Sequence, residues 1–92
     1  MDSDSHRVLR AGREITLTAQ EFSLLWCLAR RPGKVLTRAE LLAEVWNTHH
    51  DPGTNVVDVY VGYLRRKIDR DSEHPLIQTV RGVGYRLEAE PA

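Results

Sequence analysis

The 92-residue sequence has no run approaching the ~18 apolar residues of a membrane span, and no basic start leads into an apolar stretch. Neither a membrane span nor a secretory leader is expected. It has one cysteine, Cys27. A lone thiol rules out an internal disulfide framework and a cysteine-rich zinc site, and it suits a reducing cytoplasm. An excess of one charge is missing too, since 13 Lys and Arg balance 13 Asp and Glu. Net charge therefore names no partner. Internal repeats and low-complexity tracts are absent. No Ser/His/Asp or Cys/His constellation suggests nucleophilic catalysis. Gly82 and Gly84 sit within a hairpin pattern, not in a phosphate-cradling loop between strand and helix. Neither an enzyme nor a bound cofactor is expected.

Hydrophobic residues make up 41% and charged residues 28%, the balance of a globular protein. The length fits one domain, able to bury roughly 60–65% of the surface its unfolded chain exposes. Residues 1–5 read as a frayed polar start, 6–88 as the domain and 89–92 as a tail. Val8-Leu9 and Ile15-Thr16-Leu17 flank Ala11-Gly12-Arg13, which reads as a hairpin. Thr18-Ala19-Gln20-Glu21 is a capping box opening a first helix, with Phe22, Leu25, Leu28 and Ala29 at helical spacing. Pro32-Gly33 ends it, with Arg30-Arg31 suited to the last turn. Thr37-Arg38-Ala39-Glu40 is a second capping box, followed by Leu41, Leu42, Val45 and Trp46, the tryptophan read as core. Residues 47–54 make a loop. Asn55-x-x-Asp58 can cap a third helix running to about Asp69. Leu76–Val80 and Tyr85–Leu87 are β-prone and flank Arg81-Gly82-Val83-Gly84, a second hairpin whose glycines permit a tight turn. Val80 and Tyr85 are expected to pair across it.

The order hairpin, helix, helix, loop, helix, hairpin is that of an α+β winged helix-turn-helix. In that arrangement the third helix, about 55–69, lies in a DNA major groove. The hairpin, about 77–87, forms a wing at the flanking backbone or minor groove. On the third helix Val57, Val61, Leu64 and Ile68 fall on one apolar stripe, flanked by Tyr60 and Arg65. The opposite face carries Asn55, Val59, Gly62, Tyr63 and Arg66, with Val56 and Lys67 to one side. Arg pairs with guanine, Asn with adenine, and aliphatic groups meet the thymine methyl. Gly62 costs ~1 kcal/mol relative to Ala in a helix interior. It either tolerates a weak position or allows close approach to another surface. Arg65, Arg66, Lys67 and Arg70 also give a local positive field, because charges beyond ~8 Å are largely screened from one another.

These residues resemble the DNA-binding effector domain of OmpR/PhoB-type response regulators over about residues 7–88. The resemblance rests on Leu-Thr-Ala-Gln-Glu-Phe-x-Leu-Leu at 17–25, Arg-Pro-Gly-Lys-Val-Leu-Thr-Arg-x-x-Leu-Leu at 31–42 and Val-Trp at 45–46. It continues through Asn-Val-Val-Asp-Val-Tyr-Val-x-Tyr-Leu-Arg-Arg-Lys-Ile at 55–68 and Ile-Gln-Thr-Val-Arg-Gly-Val-Gly-Tyr-Arg-Leu at 77–87. It implies a three-helix core, a C-terminal wing and an N-terminal antiparallel sheet of four strands. Here the first strand is lacking or reduced to a remnant near Ser3–Ser5, so a short, truncated sheet is expected. Matched position by position, Val56, Val59, Tyr60 and Tyr63 fall on groove-facing positions, and Asn55, Arg65 and Arg66 on DNA-contacting ones. Thr37 and Arg38 match backbone contacts, and Arg81 the wing arginine of the minor groove. Lys67 adds a cation to the expected DNA-binding set. The sequence departs from strongly basic members at Asn55, Gly62 and Tyr63, where Arg is common, which implies a different operator.

The resemblance also implies double-stranded DNA with direct-repeat promoter sites as partner, bound head to tail with one domain per half-site; scattered apolar groups make the isolated domain an expected monomer. A receiver domain precedes such domains, and loop 47–54 corresponds to a segment that contacts RNA polymerase. The resemblance further implies transcription regulation in the cytoplasm, within a two-component system. His49-His50-Asp51 lacks a third ligand at a standard spacing, so no metal site is expected. Cys27 is expected as a buried, inert thiol under the N-terminal sheet. The alternative is a winged helix that binds protein through Val59, Tyr63 and Arg66. A cation at a Gly-lined hairpin tip favours DNA.

Overall fold

The computed structural model describes residues 6–10, 12–48, 55–69 and 75–88. The expected start at 1–5, most of loop 47–54 with His49 and His50, the connection at 70–74 and the tail lie outside these. The first hairpin pairs β1 (Arg7–Arg10) with β2 (Arg13–Thr16), Val8 opposite Ile15. Strand alternation turns both inward, while Leu9 between them is 74% exposed. The N-terminal sheet has these two strands among the described residues.

Helix α1 (Ala19–Ala29) begins with the complete capping box. The Glu21 amide donates to Thr18 Oγ1 at 3.2 Å, and the Thr18 amide donates to Glu21 Oε1 at 2.9 Å. Phe22, Leu24, Leu25, Cys27 and Leu28 are all buried. Cys27 turns toward the second helix and not toward the N-terminal sheet as expected. Its thiol donates to Glu44 Oε2 at 2.9 Å, in contact with a polar group that draws it to that side. Burial and the adjacent carboxylate push its pKa to about 11. Arg30 and Arg31 bind the same carboxylate at 2.9 Å each.

Two residues, Leu36–Thr37, form β3, a strand the sequence did not disclose. It pairs with the last strand, so the wing sheet runs β3-β5-β4 with β4 (Ile77–Val80) and β5 (Gly84–Leu87). Gly84 faces Thr37 across this pairing, and a Cβ there would overlap the Leu36 backbone. Gly84 is thus required by a close approach inside the sheet. The tight turn belongs to Gly82, at φ +73°, closed by Val83 donating to the Val80 carbonyl at 3.0 Å. The cross-strand register also differs from expectation: Val80 faces Gly84, and Tyr85 faces Thr79.

Helix α2 (Arg38–Val45) follows β3 directly, and its second capping box is only half made. Thr37 Oγ1 accepts from the Glu40 amide at 3.1 Å, but the Glu40 carboxylate meets the Thr37 hydroxyl instead of its amide. Helix α3 (Val56–Leu64) continues into a π-helical turn at Arg65–Asp69. Its expected stripe is the buried one, with Val57, Val61, Leu64 and Ile68 all at 3% exposure or less. Leu24, Leu28, Leu36, Leu41 and Ile77 complete a shared core, and Trp46 packs at its margin. The buried Asp69 carboxylate accepts from the Leu76 and Ile77 amides at 3.0 and 3.2 Å, which fixes where β4 leaves the helix.

Candidate nucleic-acid interface

Burying one stripe of α3 leaves the opposite face outward. Asn55, Val59, Tyr63 and Arg66 are exposed there, with Val56, Tyr60 and Gly62 half-buried along its sides. Asn55 occupies the N-cap position with a left-handed backbone, φ 51°, and its side chain makes no cap hydrogen bond. The expectation that it caps the helix is therefore corrected. An asparagine tolerates that backbone conformation, and its amide stays outward. Tyr60 stands edge-on between Trp46 and Tyr63, with ring centroids 5.3 and 5.2 Å away. That stack supports Tyr63 from the side.

Three elements converge on Asp58. Arg38, at the start of α2, donates through Nε to both carboxylate oxygens at 2.9 and 3.2 Å. The Tyr85 hydroxyl of β5 donates to the same carboxylate. Arg38 also lies over the Tyr85 ring at 5.2 Å, and Arg65 approaches that ring at 5.6 Å. The hydrogen bond to Asp58 holds the Arg38 guanidinium even more firmly protonated than usual. Burial, then the bond and charge of Asp58, push the Tyr85 phenol up. This junction joins α2, α3 and the wing. No local pattern in the sequence marks it, because it pairs residues 20 and 27 positions apart.

The cations divide into two groups. Arg65 donates to Thr79 Oγ1 at 2.7 Å and to the Ile77 carbonyl, so it ties α3 to β4. Lys67 pairs with Glu21 Oε1 of α1 at 2.6 Å. Burial would raise the Glu21 carboxyl, but the hydrogen bonds from Lys67 and Thr18, with the charge of Lys67, outweigh it and leave it below its ordinary value. Both cations were expected on DNA, and the structure commits both within the domain. Arg66 and Arg81 are exposed, and among the described residues neither has an ion-pair or hydrogen-bond partner. Glu88, a conceivable partner for Arg81, instead accepts from Gln78. Thr37 is half-buried, with its hydroxyl spent on the α2 cap.

The sequence profile of the family described as "Transcriptional regulatory protein, C terminal" matches residues 12–87. The chain is 49% identical over 90 residues to the transcriptional regulatory protein TcrA of Mycobacterium tuberculosis, covering 98% of this chain and 36% of TcrA. It is 51% identical over 88 residues to the transcriptional regulatory protein CusR of Escherichia coli, covering 96% of this chain and 39% of CusR. Among solved structures, the DNA-binding domain of Klebsiella pneumoniae RstA, in complex with the RstA box, superposes with a TM-score of 0.81 at 31% identity. That match covers 95% of this chain and 87% of the other. The chain is a winged-helix DNA-binding domain of the transcription-regulating kind, not an enzyme. It belongs to the OmpR/PhoB-type family of response-regulator C-terminal domains, and it spans less than two fifths of the length of TcrA or CusR.

Proposed function

We propose that the domain binds double-stranded DNA sequence-specifically, with α3 in the major groove and Arg81 of the wing in the minor groove. It works as the effector half of a two-component response regulator. The observation that carries this is the pair of exposed, unpartnered cations, Arg66 on the outward face of α3 and Arg81 at the wing tip, in a chain whose other described helix and wing arginines are engaged. Asn55, Val59 and Tyr63 read base edges, with Val56 and Tyr60 at their margin. Arg66 divides between bases and phosphate, and Arg81 enters a narrow A·T-rich groove of strongly negative potential. Arg38 offers its terminal nitrogens to the sugar-phosphate backbone at the start of α2, beside Thr37. Arg65 and Lys67 act from inside the domain.

The whole regulator carries a receiver domain before this one and acts in the cytoplasm, where chromosomal DNA is read. Two copies occupy direct repeats head to tail, about one helical turn apart. The isolated domain is a monomer, and residues 47–54 offer a contact to RNA polymerase. Selection from random duplexes, followed by electrophoretic titration at several salt concentrations, tests the assignment. A repeated consensus with salt-dependent affinity is expected. Equal, unselective retention of all duplexes, or none, would overturn it.

A further inference from the structure

Gly62 stands in the middle of α3, where glycine is the poorest helix former after proline. A mid-helix glycine is ordinarily explained by crowding or by a left-handed backbone. Neither holds at Gly62, because its φ is not positive and a Cβ built there meets nothing within 4 Å. Gly84 makes the contrast, since a Cβ there collides with the Leu36 backbone. The fold places nothing in the space at Gly62, which leaves it open to a group from outside the chain.

The neighbours indicate what fills it. Val59 and Arg66 sit one turn to either side on the same face, and Tyr63 is adjacent. Val59 is 39% and Tyr63 41% exposed, both high for residues of their kind. Tyr63 is braced edge-on by Tyr60, which Trp46 braces in turn. The centre of the outward face is thus a shallow, uncharged, largely apolar patch, with Asn55 toward one end and Arg66 toward the other.

Resting on the placement of this face in the major groove, we infer that Val59, Gly62 and Tyr63 form a seat for thymine methyl groups, with Gly62 the specificity-determining position. Thymine alone presents an apolar group in the major groove, its C5-methyl, beside its O4 acceptor. Guanine, cytosine and adenine present donors and acceptors that an apolar seat leaves unpaired, which disfavours them. The missing Cβ at residue 62 lets the helix backbone come close enough to cover the methyl group.

The test uses the duplex that the wild-type domain selects from random DNA. Each thymine is replaced in turn by deoxyuridine, which removes the methyl and keeps the base pair. A loss of about fourfold in affinity per buried methyl is expected at one or two positions of each half-site. Gly62→Ala is expected to raise or preserve the thermal midpoint, weaken binding at unchanged salt dependence, and abolish the uridine sensitivity at those positions. Indifference of the wild type to every uridine replacement would overturn the inference while leaving DNA binding intact. So would Gly62→Ala binding with unchanged affinity and unchanged sensitivity. A wild type that selects no duplex would overturn both this inference and the assignment of the face.

Discussion

Arg65 on the recognition helix grips Thr79 on the wing, its Nη2 donating to Thr79 Oγ1 at 2.7 Å while also reaching the Ile77 carbonyl at 3.1 Å. With the bond from Tyr85 to Asp58, this contact makes recognition helix and wing one body. Neighbouring arginines are therefore expected to have separate roles. Arg65→Ala is expected to cost ~1–3 kcal/mol of folding stability, chiefly because the carbonyl of the buried Ile77 loses a charged donor, while the exposed Thr79 hydroxyl can turn to water. The salt dependence of DNA binding should not change. Arg66→Ala is expected to leave stability within ~0.5 kcal/mol and make the slope of log K against log salt shallower by about one. Urea unfolding and salt titrations of the two variants check this, and the reverse pattern would put Arg65 on the DNA.

The packing of α3 is tested at its most buried leucine. Leu64 has no exposure, so Leu64→Ala should leave a cavity and cost ~2–5 kcal/mol in urea unfolding. Gly84→Ala should be comparably damaging for a different reason, since backbone must move to admit the methyl group. A loss below half a kcal/mol for Leu64→Ala would contradict the phase of the helix.

Acid should loosen the junction of the first two helices. Hydrogen bonds from Cys27 and Arg31, joined by Arg30, hold the Glu44 carboxyl down to about 2, against an ordinary value of 4.5. Since the folded value is the lower one, Glu44 contributes fully above pH 4.5, and the contribution fades as pH falls toward 2. Unfolding midpoints of wild type and Glu44→Gln should therefore differ most near neutrality and converge in acid. A constant difference across that window would exclude the linkage.

Asn55 has an outward amide with no cap to serve. Asn55→Ala should leave the fold intact and relax preference at one base position by ~1–3 kcal/mol. An unchanged consensus in repeated site selection would remove it from the reading set.

Much of this was legible in the sequence. The apolar stripe of α3 and the Thr18 capping box are local patterns with fixed periods, and local patterns survive folding. The N-terminal hairpin was legible for the same reason. What the sequence did not disclose depends on distant partners. Two residues, Leu36 and Thr37, carry no period from which to read a strand. Without that strand, Gly84 looks like part of the turn and the wing register slips by one. Helical angle puts Lys67 beside the outward face and Arg65 beside the apolar stripe, but long side chains reach around a helix. Which carbonyl or carboxylate each one meets is decided by Thr79 and Glu21, far away in the chain.

In the proposed function, duplex DNA is held between the outward face of α3 and the wing tip through Arg66 and Arg81. The most direct measurement compares wild type with Arg66→Ala/Arg81→Ala on the selected site, titrated at several salt concentrations. Equal unfolding midpoints, weaker binding, and a slope of log K against log salt shallower by about two are expected for the double variant. Identical affinity and slope for the two proteins would contradict the proposal.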